Sequence, residues 1–531
     1  MWQKLSTNPW ALSILAALAL IFAYAPFDLC FLCFLLPFFF TGMFFQLKTE
    51  RQALWFGFFH SLVLMWGGFY WVVYVIHVFG ELGWIPSALL YVGFCGIGAL
   101  NIPLFSWLTF RLYRRIPAKA PTWVAGLWFA VFFPAWFTIL EFLIPKLFPW
   151  YLGHALYRYP VLIQIVEWTG VSFLTFSLFS AGSTAAAYVW RSQHGYALPR
   201  WLPAIPIGLW TFALIFGAVR LQAPLPDGPT LNLALVQANI GSLDRVKAKM
   251  GIGGRLRFVM DKYISLTEKA LKQTPKPNLI LWPETAMPFQ MESPIRYAQE
   301  IRQKVVEWGV PLVVGAYAQS PFHFDRDYNA AFLVEPRPVT QPGYRLSIAP
   351  KNVLLAFGEY MPLGDTFPAL YRWFPQVSNF ELGREQTVFQ TLDGIRLGVT
   401  ICYEAIIPSF VRKVANRKIQ ALLNLTNDSW FGPTSEPYQH GQLSIFRAIE
   451  TRTPLIRVTN TGTSFVVDTN GHIGKMTPVY DEAVLLETVH LPSTPPETIY
   501  VKLGEWWNLL LMAGWIGFMI SLRKYNASLR P

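Results

Sequence analysis

Charge is the first thing this sequence is short of. Asp, Glu, Lys and Arg make up only 14% of its 531 residues, against about 25% in an ordinary soluble protein. That deficit argues against a chain folded wholly in water. Cysteine is scarce too, with four in all. Cys30, Cys33 and Cys95 lie in apolar runs, and Cys402 is the only one in the more polar part of the chain. Cys30 and Cys33 have C-x-x-C spacing, but Phe and Leu flank them and no βαβ pattern surrounds them, which argues packing rather than redox chemistry. There is no H-E-x-x-H, no paired Cys/His spacing and no phosphate-cradling loop, so no metal and no cofactor are expected. The GIGG at 251–254 lacks the context of a nucleotide-binding loop and reads as a turn. The net charge of +12 does not mark a nucleic-acid binder, because the basic residues sit in short clusters between apolar runs.

What is abundant is apolar surface. Hydrophobic residues reach 53% and aromatic ones 16%. A helix needs about 20 apolar residues to cross a bilayer, and the spacing predicts spans over 10–25, 27–45, 54–78, 84–110, 123–143, 161–190 and 201–219. One more is expected after the polar region, within 504–523. Lys4, Lys48, Arg51, Arg111, Arg114, Arg115, Lys119, Arg191 and Arg200 all fall in loops on one side of such a bundle. Asp28 and Glu81 lie on the other, where Lys146 and Arg158 are the exceptions. The positive-inside rule then sets both termini in the cytoplasm and the region between the last two spans outside it. Glu141 and Glu167 sit in or at the edges of apolar runs, where a carboxylate is either functional or interfacial.

The pattern changes between 229 and 492. LNLALVQANI (231–240), NLILWPE (278–284), PLVVGAY (311–317), RLGVTICYE (396–404), IQALLNLT (419–426) and PLIRVTN (454–460) read as buried strands. Helical patterns over 258–272 and 295–308 alternate with them, which predicts a layered α/β domain. The expected organisation is therefore helices over 1–220, a catalytic domain over 229–492 and a last helix over 504–523.

Three strand ends in that domain carry reactive groups. Glu284 follows a buried strand in LILWPETAMP, Lys351 opens KNVLLAFGEYMP with Glu359 behind it, and Cys402 ends a strand in GVTICYEAIIP with Glu404 two residues on. Each alone has a bland reading: a solvated carboxylate, a surface lysine, a small buried thiol. Together they make a chemical set. A thiol is mostly protonated at neutral pH, a carboxylate can take its proton, and an ammonium can stabilise both thiolate and oxyanion. His440, in YQHGQ, reads as structural.

These segments resemble the Glu-Lys-Cys triad of the nitrilase superfamily. With helices on both sides, the whole chain resembles the apolipoprotein N-acyltransferase family. The resemblance rests on WPE (282–284), FGEYMP (357–362), ICYE (401–404), NDSWFG (427–432), FPWYLGHALY (148–157) and the stretches 447–450 and 457–462. It departs at Val353 and Ala356, where the family usually has His and Pro, and in the loop after Asn239, which lacks a Trp. The resemblance implies an αββα nitrilase-like domain on a polytopic helical membrane domain, acting as a monomer. It implies that Glu284, Lys351 and Cys402 are catalytic, with Glu359, Glu404, Tyr403 and Trp430 supporting them or positioning substrate. It also implies a phospholipid acyl donor and a diacylglyceryl lipoprotein acceptor at the bacterial inner membrane. A membrane-tethered amidase shares the same triad, and a non-catalytic scaffold remains open on the residues alone. A transporter would need internal repeats that the sequence does not show.

Overall fold

The computed structural model describes residues 8–98, 100–116, 121–194, 198–224, 226–241, 254–338, 340–375 and 377–528. Lys4, Lys119, residues 251–253 of the GIGG turn and most of the loop after Asn239 lie outside them. The chain forms two compact units. One comprises Met1–Ile76, Gly83–Ala223 and Leu503–Pro531, and the other His77–Leu82 and Pro224–Lys502.

The first unit is helical. Its entry helix, Pro9–Ala23, is capped by Asn8, whose side chain accepts from the N–H groups of Trp10 and Ala11, with Pro9 in the first turn. Thr49 caps Glu50–Gly68 in the same way. Helices occupy the expected apolar runs but are more broken than expected. Glu50–Gly68 ends at two glycines and continues as Trp71–Val78 after a 61° bend. The run over 84–110 divides into Trp84–Gly98 and Asn101–Tyr113. The run over 161–190 is interrupted by Gly170 at φ 66°, and its long helix is Ser172–His194. Among the described residues, one helix is by itself long and apolar enough to cross a bilayer, Thr122–Leu143, and the bent pair qualifies only when taken together. Pro9–Ala23, Cys30–Phe44, Trp84–Gly96 and Ala204–Arg220 are apolar but shorter. Large apolar side chains stand exposed on this unit, among them Ile85, Leu89, Ile207, Ile215, Leu509 and Ile516.

Glu141 and Glu167 find partners inside this unit. Glu141 accepts from the Leu152 N–H at 2.8 Å and the Thr175 hydroxyl at 2.9 Å, so it fixes the turn Leu152–Leu156 of the FPWYLGHALY segment. Glu167 accepts from Arg220 Nε at 3.0 Å. Both carboxylates therefore have a structural explanation.

The second unit is a four-layer sandwich. In chain order its strands are β1 (Thr230–Gln237), β2 (Leu279–Leu281), β3 (Met287–Gln290), β4 (Leu312–Gln319), β5 (Asp327–Pro336), β6 (Tyr344–Pro350), β7 (Val388–Gln390), β8 (Arg396–Ile401), β9 (Ala421–Thr426), β10 (Leu455–Thr459), β11 (Phe465–Val467) and β12 (Ala483–His490). Among the described residues they form a seven-stranded sheet, ordered β12-β1-β2-β4-β5-β6 with β3 beside β4, and a five-stranded sheet, β11-β10-β9-β8-β7. Successive side chains of a strand point to opposite faces. Leu233, Leu235, Leu281, Val313 and Leu333 thus meet Val399, Leu423, Leu425 and Val458 of the other sheet in one core. Ala234, Val236, Val314 and Phe332 face a second core with helices Arg255–Ala270 and Arg296–Trp308. Strands buried on both faces read as continuous apolar runs, which is why all six expected strands are present. The expected αββα layering is what forms. The strands that sequence patterning missed are short or antiparallel: β3, β5, β6, β7, β11 and β12.

Candidate active site

Glu284 lies in the turn that leaves β2. The turn sits directly over Gly315 of β4, where a Cβ would come within 2.5 Å of Glu284 Cα, so only glycine admits this close approach. Lys351 directly follows β6, and its N–H donates to the Asn329 carbonyl at 2.8 Å. Cys402 directly follows β8 and opens the 3-10 turn Cys402–Ile406. Its φ is +53°, in the left-handed region that favours glycine.

Four side chains close into one ring, buried at Glu284, Asn329 and Lys351 and half-buried at Glu359. Lys351 Nζ donates to Glu284 Oε1 at 3.0 Å and to Glu359 Oε1 at 2.8 Å. Asn329 Nδ2 donates to the same two oxygens at 2.7 and 2.9 Å. The second oxygen of Glu284 accepts from the Asn427 N–H at 3.0 Å, and that of Glu359 from the Leu355 N–H at 2.8 Å. Both carboxylates are thereby aimed and held. Burial works against the Lys351 ammonium, but the charges of Glu284, Glu359 and Cys402 outweigh it and raise its pKa well above the ordinary value. Cys402 is half-buried at this ring. Burial pushes its thiol well up, the Glu284 charge pushes further, and Lys351 pulls the other way.

Glu404 does not touch the Lys351 ammonium. Its Oε1 accepts from the N–H groups of Asn352 at 2.5 Å and Val353 at 3.0 Å, and its Oε2 from the Ile401 N–H at 2.7 Å. It ties the backbone after Lys351 to the backbone before Cys402. Val353, one of the departures from the family pattern, takes part through its main chain. Burial raises the Glu404 carboxyl from 4.5 to about 7, against the pull of those N–H groups and Lys351. The folded chain therefore holds this proton more tightly than the unfolded one. The contribution to stability is full below about pH 4.5 and is lost as pH rises through about 7. Denaturant melts of the full chain between pH 5 and 8 should show this loss, and Glu404→Gln should flatten it; an unchanged slope in the variant would exclude Glu404 as its source.

Tyr403 is half-buried, and burial followed by the nearby Tyr360 raises its hydroxyl to about 12. Trp430 is exposed, and its ring lies 4.4 Å from that of Phe79 in the segment His77–Leu82. Along 357–382, Phe357, Leu363, Phe367, Trp373 and Leu382 are exposed as well.

His440 proves to be part of a buried network. Its Nδ1 donates to Asp428 Oδ1 at 2.9 Å, and Arg457 Nη2 donates to Asp428 Oδ2 at 2.9 Å. Asp428, Glu436 and His440 bring ligand-type atoms within 4.8 Å of one another. Arg457 pairs with Asp428, and His440 Nδ1 lies between Asp428 and Glu436, at 2.9 and 3.7 Å. Burial opposes the Asp428 charge, yet Arg457 and His440 hold its carboxyl below the usual range. Sequence reasoning missed Asn329, whose only signal was a polar residue inside the apolar strand β5. It marked Arg457 only as the start of the stretch 457–462 and gave it no role in this neighbourhood.

The sequence was compared with protein families and with curated proteins. The family model described as Carbon-nitrogen hydrolase matches residues 232–495, and that described as Apolipoprotein N-acyltransferase N-terminal domain matches 16–184. Apolipoprotein N-acyltransferase of Bdellovibrio bacteriovorus is 33% identical over 507 residues, covering 91% of this chain and 88% of that protein. Its counterpart in Geobacter metallireducens is 31% identical over 484 residues, covering 88% and 86%. That of Brucella melitensis is 28% identical over 502 residues, covering 90% and 87%.

Proposed function

Because the chain belongs to the apolipoprotein N-acyltransferase family, we propose that it moves an acyl chain from a phospholipid to the α-amine of a diacylglyceryl-cysteine on a lipoprotein, through a thioester on Cys402. The observation that carries this reading is the ring of Glu284, Lys351, Glu359 and Asn329, with Cys402 half-buried at the end of β8.

Glu284 takes the Sγ proton as the sulfur attacks the ester carbonyl, and the Lys351 ammonium stabilises the oxyanion. Collapse breaks the ester C–O bond, and the departing lysophospholipid oxygen takes the proton back from Glu284. The acceptor amine then attacks the thioester and loses a proton to Glu284. Collapse breaks the C–S bond, and the proton returns to sulfur. Glu359 and Asn329 hold Lys351 and Glu284 in place, and Glu404 keeps the two loops together. Exposed apolar side chains along 357–382, with Tyr403 and Trp430, suit a lipid substrate. The exposed apolar residues of the helical unit suit a bilayer. The Lys/Arg asymmetry of the loops favours a multi-pass chain with the catalytic unit on the extracytoplasmic side of the bacterial inner membrane.

The test is direct. Purified full-length chain mixed with phospholipid should gain one acyl mass on Cys402, and a diacylglyceryl-cysteine peptide should then remove it and carry it. An adduct that decays equally fast without the peptide would favour hydrolysis. No adduct at all would favour a binding role.

Asn329 offers a finer test. Asn329→Ala takes one donor from each carboxylate while leaving Lys351 in place. Acylation of Cys402, followed by intact mass, should slow by about tenfold to a hundredfold, since each lost bond to a charged group is worth about 1.5–3 kcal/mol. A wild-type rate would show that Lys351 alone aligns the pair.

A further inference from the structure

Beneath Cys402 a polar row crosses the five-stranded sheet where an apolar one would pack. Thr400 of β8, Asn424 of β9 and Arg457 of β10 stand directly opposite one another in register. All three are fully buried. Their neighbours along β9 and β10, Leu423, Leu425, Ile456 and Val458, are apolar and fill the core between the sheets. Burying an arginine is expensive unless its partners repay it, and an apolar side chain of similar volume is often as stable. The row therefore asks for a reason beyond packing.

The hydrogen bonds supply one. Asn424 Nδ2 donates to the Cys402 carbonyl at 3.2 Å. Its Oδ1 accepts from Arg457 Nη1 at 2.6 Å and from the Thr426 hydroxyl at 3.2 Å. A guanidinium has donors only, so it can face only the oxygen end of the amide. Arg457 thus decides which way Asn424 points, and leaves the amide NH2 for the Cys402 carbonyl and, at 3.5 Å, that of Thr400. Arg457 is itself fixed by Asp428, and Asp428 by His440. The carbonyl so gripped belongs to the residue held at φ +53°. Because the peptide unit is planar, fixing that carbonyl fixes the 402–403 peptide plane and so restrains the ψ of Cys402, one of the two rotations that aim its side chain.

We infer that Asn424, oriented by Arg457, is a positioning residue that holds Cys402 in its left-handed conformation so that the thiol meets the acyl carbonyl. The inference rests on Cys402 being the acyl carrier. Its test uses the full chain, a phospholipid of defined acyl chains, and the rate of mass gain on Cys402 as lipid is varied. Asn424→Asp keeps a partner for Arg457 but removes the donor to Cys402. Its maximal acylation rate should fall by about a hundredfold, the scale expected when a reacting group is misplaced by an ångström. The half-saturating lipid concentration should not change. Arg457→Lys keeps the charge beside Asp428 and loses the reach to Asn424, so its rate should fall by about tenfold. The double variant should be no slower than Asn424→Asp, because both changes act on one carbonyl.

A wild-type maximal rate in Asn424→Asp, or a change confined to the half-saturating concentration, would overturn the inference. So would additive losses in the double variant. Should Asn424→Asp fail to accumulate as folded protein, the rate of Arg457→Lys decides alone. A wild-type chain that gains no acyl group, or a Cys402→Ala chain that still gains one, would instead sink the reading of Cys402 as carrier.

Discussion

Cys402→Ser is expected to fold normally, form no acyl-enzyme and transfer no acyl chain to a diacylglyceryl-cysteine peptide. Serine keeps the shape of the side chain, so the left-handed turn after β8 and the Asn424 contact to the 402 carbonyl should persist. The chemistry should not. Burial and the Glu284 charge already push the thiol up, and a hydroxyl is far harder for a carboxylate to deprotonate than a thiol. The measurement is acyl mass on the protein and N-acylation of the peptide over time, beside a melting curve that shows the variant folded. Full transfer activity in Cys402→Ser would remove the thioester from the mechanism and leave direct transfer between the two lipids.

Lys351→Met should damage both stability and activity, and the two losses have different sources. Lys351 is buried and is the only ammonium between Glu284 and Glu359 in the ring described. Without it two carboxylates face the same Asn329 nitrogen, at 2.7 and 2.9 Å, with no positive charge between them. Removing one partner of a buried ion pair typically costs about 3–5 kcal/mol. The carboxylates can limit this by sharing a proton, which disarms Glu284 as a base. Loss of the oxyanion stabiliser adds about 10²–10³ in rate. Acylation should therefore be nearly abolished, and the residual rate should rise with pH as the shared proton leaves. Glu284→Gln leaves Lys351 paired with Glu359, so it should be milder in stability while still blocking acylation. A Lys351→Met chain that melts and acylates like the wild type would contradict the ring as the working site.

Much of this was legible in the sequence because it depends on local pattern. Strands β1, β2, β4, β8, β9 and β10 are buried on both faces and so stand out as apolar runs. Glu284, Lys351 and Cys402 each follow a strand, and a reactive residue after an apolar run is visible one segment at a time. Other features depend on what meets what. Asn329 looks like an ordinary polar residue until β5 sets it between two carboxylates. Asn424 and Arg457 are 33 residues apart and become neighbours only through the parallel register of β9 and β10. Glu404 was expected to support the catalytic residues or position substrate, and its carboxylate meets the main-chain N–H groups of Ile401, Asn352 and Val353, contacts that no side-chain motif reveals. The helical runs were read as longer than they are, because hydropathy averages over Gly170 and the Gly67–Gly68 pair, where backbone geometry breaks the helix.

At position 402 the backbone and the chemistry favour different amino acids. A non-glycine residue in the left-handed region costs about 1–3 kcal/mol, and here that residue is Cys402, the nucleophile of the proposed mechanism. Glycine would relax the turn and end the reaction in one substitution. The Cys402 side chain packs against the core between the sheets, which offsets part of that strain, and on the proposed mechanism selection for catalysis supplies the rest. In a duplicated copy freed from that selection, drift at 402 would run downhill in folding energy, while Leu423 or Val458 in the core would stay fixed by packing. A lineage could in this way lose the activity first and keep the fold long afterwards, so the identity of residue 402 tells a working enzyme from its well-folded descendants.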